Sequence, residues 1–129
     1  MRDSDGEEWI VYSIHDPRDD RPFYIGQTVN LPRRIYEHLK QRDKASSAVS
    51  IAQLRAVNLL PTFRIIAACG TRQEADRLEF EEIAIHLAAG FELSNSDSEI
   101  NHARKLLKTQ PRYFAQRVAA KWPTDVSTE

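Results

Sequence analysis

The stretch Tyr24-Ile25-Gly26-Gln27-Thr28, continued by Leu31-Pro32-Arg33-Arg34 and closed by His38, decides how this 129-residue chain folds. It sets a tyrosine and a glycine at the end of a short strand, then an arginine and a histidine one helical turn apart. Residues at i and i+4 share a helix face, so Arg34 and His38 point at one target, to which the strand delivers Tyr24. A phenol, a guanidinium and an imidazole converging on one spot are suited to holding a phosphate.

Upstream, Trp9-Ile10-Val11-Tyr12-Ser13-Ile14 is rich in β-branched and aromatic residues and reads as a strand. The turn formers Asp16-Pro17 and Asp19-Asp20 separate it from a second strand over Pro22–Gly26, giving a hairpin with a longish loop. Asn30 reads as the N-cap of a helix with Pro32 in its first turn and an apolar stripe of Leu31, Ile35 and Leu39. Downstream, Ser47 to Val57 is a second helix carrying Ile51, Leu54 and Val57, and Thr62–Ala67 is a third strand. Thr71 precedes Glu74 by three residues, the spacing of a capping box, and opens the longest helix, which Gly90 stops. Two further helices are expected over Ser98–Thr109 and Pro111–Lys121. The order ββααβα places the helices around a small three-stranded sheet, an α+β layout.

Length and composition are those of one globular domain. No apolar run is long enough to span a membrane, and the acidic start Met1–Glu8 is unlike a signal peptide. The one cysteine, Cys69, lies in an apolar run and reads as a buried thiol; with it, a cytoplasmic location is expected. The net charge of −1 conceals segregation: residues 21–47 carry net +4 and residues 101–129 net +4, against acidic segments between and before them. A polyanion meets those local fields, not the average. The same lysines and arginines also suit solvated helix faces.

Glu79 is the second sharp signal. Ala75, Ile83 and His86 lie within about 60° of it on the long helix, so it sits in the apolar stripe. A carboxylate facing inward needs a cation or strong donors. A partly buried ion pair, with Arg34 as a partner, meets that need. Glu81 and Glu82 call for no such account, since at least one of them faces solvent. His15, His86 and His102 are not spaced as a metal cluster. In the C-terminal segment, Arg104, Lys105, Lys108, Arg112, Arg117 and Lys121 either extend a phosphate-contacting surface or solvate two helices that pack through Leu106, Leu107, Phe114, Val118 and Trp122.

Taken together, these residues resemble the GIY-YIG nuclease family. Its first name motif appears as Ile10-Val11-Tyr12, with the glycine replaced, and its second as an intact Tyr24-Ile25-Gly26. Arg34 and His38 follow Tyr24 by ten and fourteen residues, Glu79 holds the glutamate position on the helix after the third strand, and Asn95 closes the set. The resemblance spans residues 9–96 and implies a nuclease domain over 8–96, a helical extension over 97–122 packed on it, and a flexible tail over 123–129.

What the resemblance implies is a metal-dependent endonuclease cutting phosphodiester bonds in DNA, branched or site-specific, alone, as a homodimer or with a partner chain. Its catalytic residues would be Tyr12, Tyr24, Arg34, His38, Glu79 and Asn95. Glu79 would be the protein ligand of one Mg²⁺ or Mn²⁺, Arg34 would grip a non-bridging oxygen, and Tyr12 would act as base with His38 sharing the burden. Tyr24 would orient phosphate or water, and Gly26, Thr28, Arg33 and Lys40 would contact substrate. The readings from other classes are a nucleic-acid-binding protein with a dead site and a protein-interaction module reusing the fold. Full cleavage by Glu79→Ala would favour the first, and absence of salt-dependent DNA binding the second.

Overall fold

The structure is a computed structural model that describes residues 8–40 and 46–123. The expectations for the acidic start before Glu8 and for the tail after Pro123 fall outside the described residues. Strands β1 (Trp9–Asp16), β2 (Arg21–Thr28) and β3 (Thr62–Cys69) form an antiparallel sheet in the order β2-β1-β3. Around it lie helices α1 (Leu31–Lys40), α2 (Ala48–Ala56), α3 (Arg72–Ala88), α4 (Asp97–Thr109) and α5 (Pro111–Lys121). This is the α+β class expected, with the ββααβα order followed by two helices.

The strands run further than their propensity indicates. His15 pairs with Pro22 and Asp16 with Arg21, so the hairpin loop shrinks to residues 17–20. Ion pairs explain the extension: the Asp16 carboxylate receives Arg18 at 2.8 Å and Arg21 at 3.4 Å. Helix α2 is shorter than expected. It ends at Ala56, and Val57 is exposed at its C-cap instead of joining the apolar stripe.

Alternation along β1 divides the core between the two sheet faces. Val11 joins Ile25, Cys69, Ala75, Ile83, Ala84, Ile85, Ala103 and Phe114 on the α3 side. Tyr12 and Ile14 join Phe23, Tyr24, Ile51 and Leu54 on the α1–α2 side. Helix α3 begins as its capping signal indicates, with Thr71 Oγ1 accepting the Glu74 amide at 3.1 Å, and Gly90 beyond its end adopts φ 95°.

Of the adjacent pair, Glu81 keeps partial exposure, as expected of at least one of them, and the one that turns inward is Glu82. That residue is 4% exposed, and its carboxylate pairs with Lys121 at 3.2 Å and Arg117 at 3.7 Å. Helix α5 covers it, which no periodicity within α3 can reveal. Two cations of the C-terminal segment are thus spent on α3, while Arg104, Lys105, Lys108 and Arg112 stay exposed. The apolar residues of α4 and α5 pack on α3 around Ala103 and Phe114. Among the described residues, no helix is long and apolar enough to cross a membrane.

Candidate active site

Tyr12 stands opposite Gly26 in the β1–β2 register. Both tyrosine rings close over that glycine: a Cβ there would lie 2.7 Å from Tyr12 Oη and 2.8 Å from Tyr24 Cε2. The rings sit tilted at 43° with centroids 6.3 Å apart. Gly26→Ala is therefore expected to push both rings aside, lower stability by about 1–3 kcal/mol and cut activity with it. Thermal unfolding in parallel with cleavage checks this, and an unchanged melting temperature would refute the packing argument. Where the first motif has lost its glycine, Ile10 pairs with Thr28 and packs half-buried against the tyrosine-side core.

Helix α1 is capped as expected, with Asn30 Oδ1 accepting the Arg33 amide at 3.1 Å. Its most buried residue is a polar one. His38 is 1% exposed, with Nε2 2.8 Å from Tyr12 Oη and Nδ1 2.9 Å from Ser47 Oγ. Arg34 is held by Glu37 at 3.1 Å and lies within hydrogen-bonding reach of both phenols. Burial first, and then the neighbouring Tyr24, raises the Tyr12 pKa well above the ordinary phenol value, against the opposing pull of Arg34. Burial and the Glu99 charge push Tyr24 up to about 12. Both phenols are accordingly protonated at neutral pH.

From the other sheet face, Gln27 reaches α3. Its Nε2 donates to Glu79 Oε1 at 3.0 Å and also to Asp76 Oδ1. Glu79 is 6% exposed, and burial pushes its pKa up to about 7; the Gln27 hydrogen bond opposes the rise, and the charges of Glu99 and Asp76 add to it. A desolvated carboxylate in an acidic surrounding, met by a neutral amide, suits a small hard cation. Gln27 Oε1, buried and without a hydrogen-bond partner among the described residues, is a neutral oxygen on the same side chain. Among the described residues, no three His, Cys, Asp or Glu side chains converge as a ready-made metal centre.

Asn95 sits in the loop after α3 and fastens the outer edge of β2. Its Oδ1 accepts the Ile25 amide at 3.1 Å, and its Nδ2 donates to the Ile25 carbonyl at 2.7 Å and to Glu99 Oε1 at 3.0 Å. Ser94 adds backbone and hydroxyl bonds to the Phe23 carbonyl. The role that follows is positional: Asn95 fixes the strand residue between Tyr24 and Gly26. Asn95→Ala is expected to destabilise the fold by about 2–3 kcal/mol, since it leaves the Ile25 amide and carbonyl unpaired. A urea titration measures this; a loss below about 1 kcal/mol would mean that water replaces the clamp.

The expected substrate contacts are scattered. Gly26 lies under the tyrosines, Thr28 shapes the β2–α1 turn through Asn30, Arg33 pairs with Glu37 at 3.3 Å, and Lys40 lies over the Tyr36 ring at 4.7 Å. His15 and His86 are buried in structural hydrogen bonds, and His102 stacks on Phe80. Sequence reasoning missed Ser47, Gln27, Asp76 and Glu99. Gln27 carries a usable signal, because strand alternation turns it to the face opposite Gly26, toward α3. Ser47 carries none, since it meets His38 only through the fold.

The family model described as the GIY-YIG catalytic domain matches residues 8–89. No curated protein and no solved structure matches the chain significantly.

Proposed function

Because this chain belongs to the GIY-YIG catalytic domain family, we propose that it is a divalent-metal-dependent endonuclease hydrolysing phosphodiester bonds in DNA. The observation that carries the reading is Glu79, a buried carboxylate whose pKa burial raises to about 7 and which is met by the neutral amide of Gln27. Residues 8–96 form the catalytic unit and 97–122 the extension. The protein works in the cytoplasm, where its thiol stays reduced.

Glu79 would hold one Mg²⁺ or Mn²⁺, with the Gln27 carboxamide oxygen as a second oxygen nearby. When bound, the ion supplies Lewis-acid stabilisation of charge growing on the phosphoryl oxygens. The remaining work belongs to side chains. Arg34, fixed by Glu37 and flanked by two phenols, presents its fork to a non-bridging oxygen. Tyr24 orients the phosphate beside it. Tyr12 is protonated at rest, so it accepts a proton from the attacking water only as its own proton passes to His38 Nε2. Gly26 keeps the two rings in register, and Asn95 keeps the strand that carries them in place.

The test is cleavage of plasmid and branched DNA with Mg²⁺ or Mn²⁺ by wild type and by Glu79→Ala. Metal-dependent cutting lost in the variant supports the reading, and the substrate preferred narrows the role. Binding without cutting in either protein, over a range of DNA structures and metals, would leave a binding module instead.

A further inference from the structure

From Ile100 to Trp122 the chain carries no aspartate or glutamate, although acidic residues outnumber basic ones over the whole sequence. Of the lysines and arginines in that run, Arg117 and Lys121 are taken up by Glu81 and Glu82 on α3. The others, Arg104, Lys105, Lys108 and Arg112, are exposed, and among the described residues no carboxylate, carbonyl or aromatic ring engages them. Every other described lysine and arginine meets such a partner: Glu37 holds both Arg33 and Arg34, for instance, and Arg72 lies over the Trp9 ring.

Fold stability does not explain the cluster. Arg104 and Lys108 stand at i and i+4 on one face of α4, and like charges so placed weaken a helix. Lys105 borders the same face. Lys108, in the last turn, suits the negative end of the α4 dipole. Arg112 does the reverse: it stands in the first turn of α5, at the positive end, with no acidic residue beside it in that turn. The apolar contacts of the two helices run instead through Ala103, Leu106, Leu107 and Phe114. Solvation alone would be served as well by mixed charges, which the rest of this surface uses.

We infer that the outer face of α4 and the start of α5 form a docking surface for the phosphodiester backbone of a DNA duplex, apart from the groups proposed to cut it. Unpaired cations with no acid among them are the complement of a polyanion, and each phosphate they neutralise releases condensed counterions. The placing suits a flank of the substrate. Helix α4 starts at the loop of the candidate active site, where Glu99 Oε1 accepts from Asn95 Nδ2 at 3.0 Å. The basic stretch of α4 lies about 7 to 14 Å further along the helix axis, the length of about two to four base pairs. Such contacts hold a duplex without reading its sequence. The inference rests on the nuclease reading for the identity of the polyanion, whereas the binding it describes needs none of the cleavage groups.

The experiment measures binding of a fluorescent DNA duplex to the full chain without divalent metal, over a series of salt concentrations, with plasmid cleavage in Mg²⁺ alongside. Wild type is compared with a quadruple variant, Arg104→Gln, Lys105→Gln, Lys108→Gln and Arg112→Gln, and with Arg77→Gln, which removes a cation already paired with Glu81. In the quadruple variant the slope of log affinity against log salt is expected to flatten by about 2 to 4, with a loss of about 100-fold or more in affinity at low salt. Its melting temperature should not fall, and Arg77→Gln should keep the wild-type slope. An unchanged slope and affinity in the quadruple variant overturns the inference, as does a wild type that binds no DNA. A slope that flattens as much with Arg77→Gln as with any one of the four changes also overturns it, since net charge alone would then be at work. If wild type binds through these residues but cuts nothing, the nuclease reading fails and the docking surface stands. If wild type cuts and the quadruple variant binds as well as it does, the docking surface alone fails. Should the quadruple variant fold poorly, the single changes decide the matter, each flattening the slope by up to about 0.9.

Discussion

Glu79→Gln is expected to abolish metal-dependent cleavage, by about 10³-fold or more, while making the metal-free protein more stable. The two effects share one origin. Folding raises the carboxyl from its ordinary 4.5 to about 7, so the folded chain binds this proton more tightly than the unfolded one. Glu79 therefore supports the fold fully below pH 4.5 and loses that support as pH rises through about 7. At pH 8 the ionised carboxylate weakens the protein by up to about 3 kcal/mol, which a neutral glutamine relieves. Melting curves without metal at pH 5 and pH 8 test this, with a gain of several degrees expected at pH 8 and little at pH 5. Added Mg²⁺ should raise the melting temperature of wild type and leave the variant unmoved. A glutamine variant that cuts like wild type, or that melts lower at pH 8, would refute the assignment.

Tyr12→Phe should lower cleavage by about 10²- to 10⁴-fold and stability by only about 1 kcal/mol. The ring stays in the core, and what is lost is the hydroxyl with its hydrogen bonds to His38 and Arg34. Because Tyr12 and His38 pass the same proton, their losses should not add: His38→Gln in the Tyr12→Phe background should cost little more than either change alone. Independent, additive losses would mean that the two residues do separate work.

Local signals carried most of the fold. The Thr71 cap, the Gly90 stop, the Asn30 cap and Pro111 at the start of α5 each act within a few residues, and the elements stand where those residues put them. Element ends were less legible. Strand propensity fades after Ile14, yet the Asp16 ion pairs with Arg18 and Arg21 continue the ladder. At the site, the spacing of Arg34 and His38 and the apolar setting of Glu79 were readable from the helical period. The surroundings were not. Ser47 lies nine residues beyond His38 in the sequence, and Gln27 finds Glu79 only once α3 packs on the sheet. The burial of Glu82 was not legible because it comes from α5, a distant segment that no window around α3 contains.

The two tyrosines are core residues of the α1–α2 side whatever part they take in the proposed reaction. A descendant of this protein that had lost its activity would still need both rings to remain folded. Glu79 is in the opposite position: it weakens the metal-free fold as pH rises through about 7, and a retired enzyme would gain from shedding it. In this architecture the name motifs are thus poor witnesses to a living nuclease. The inward glutamate is the better one, because only chemistry gives a reason to keep it.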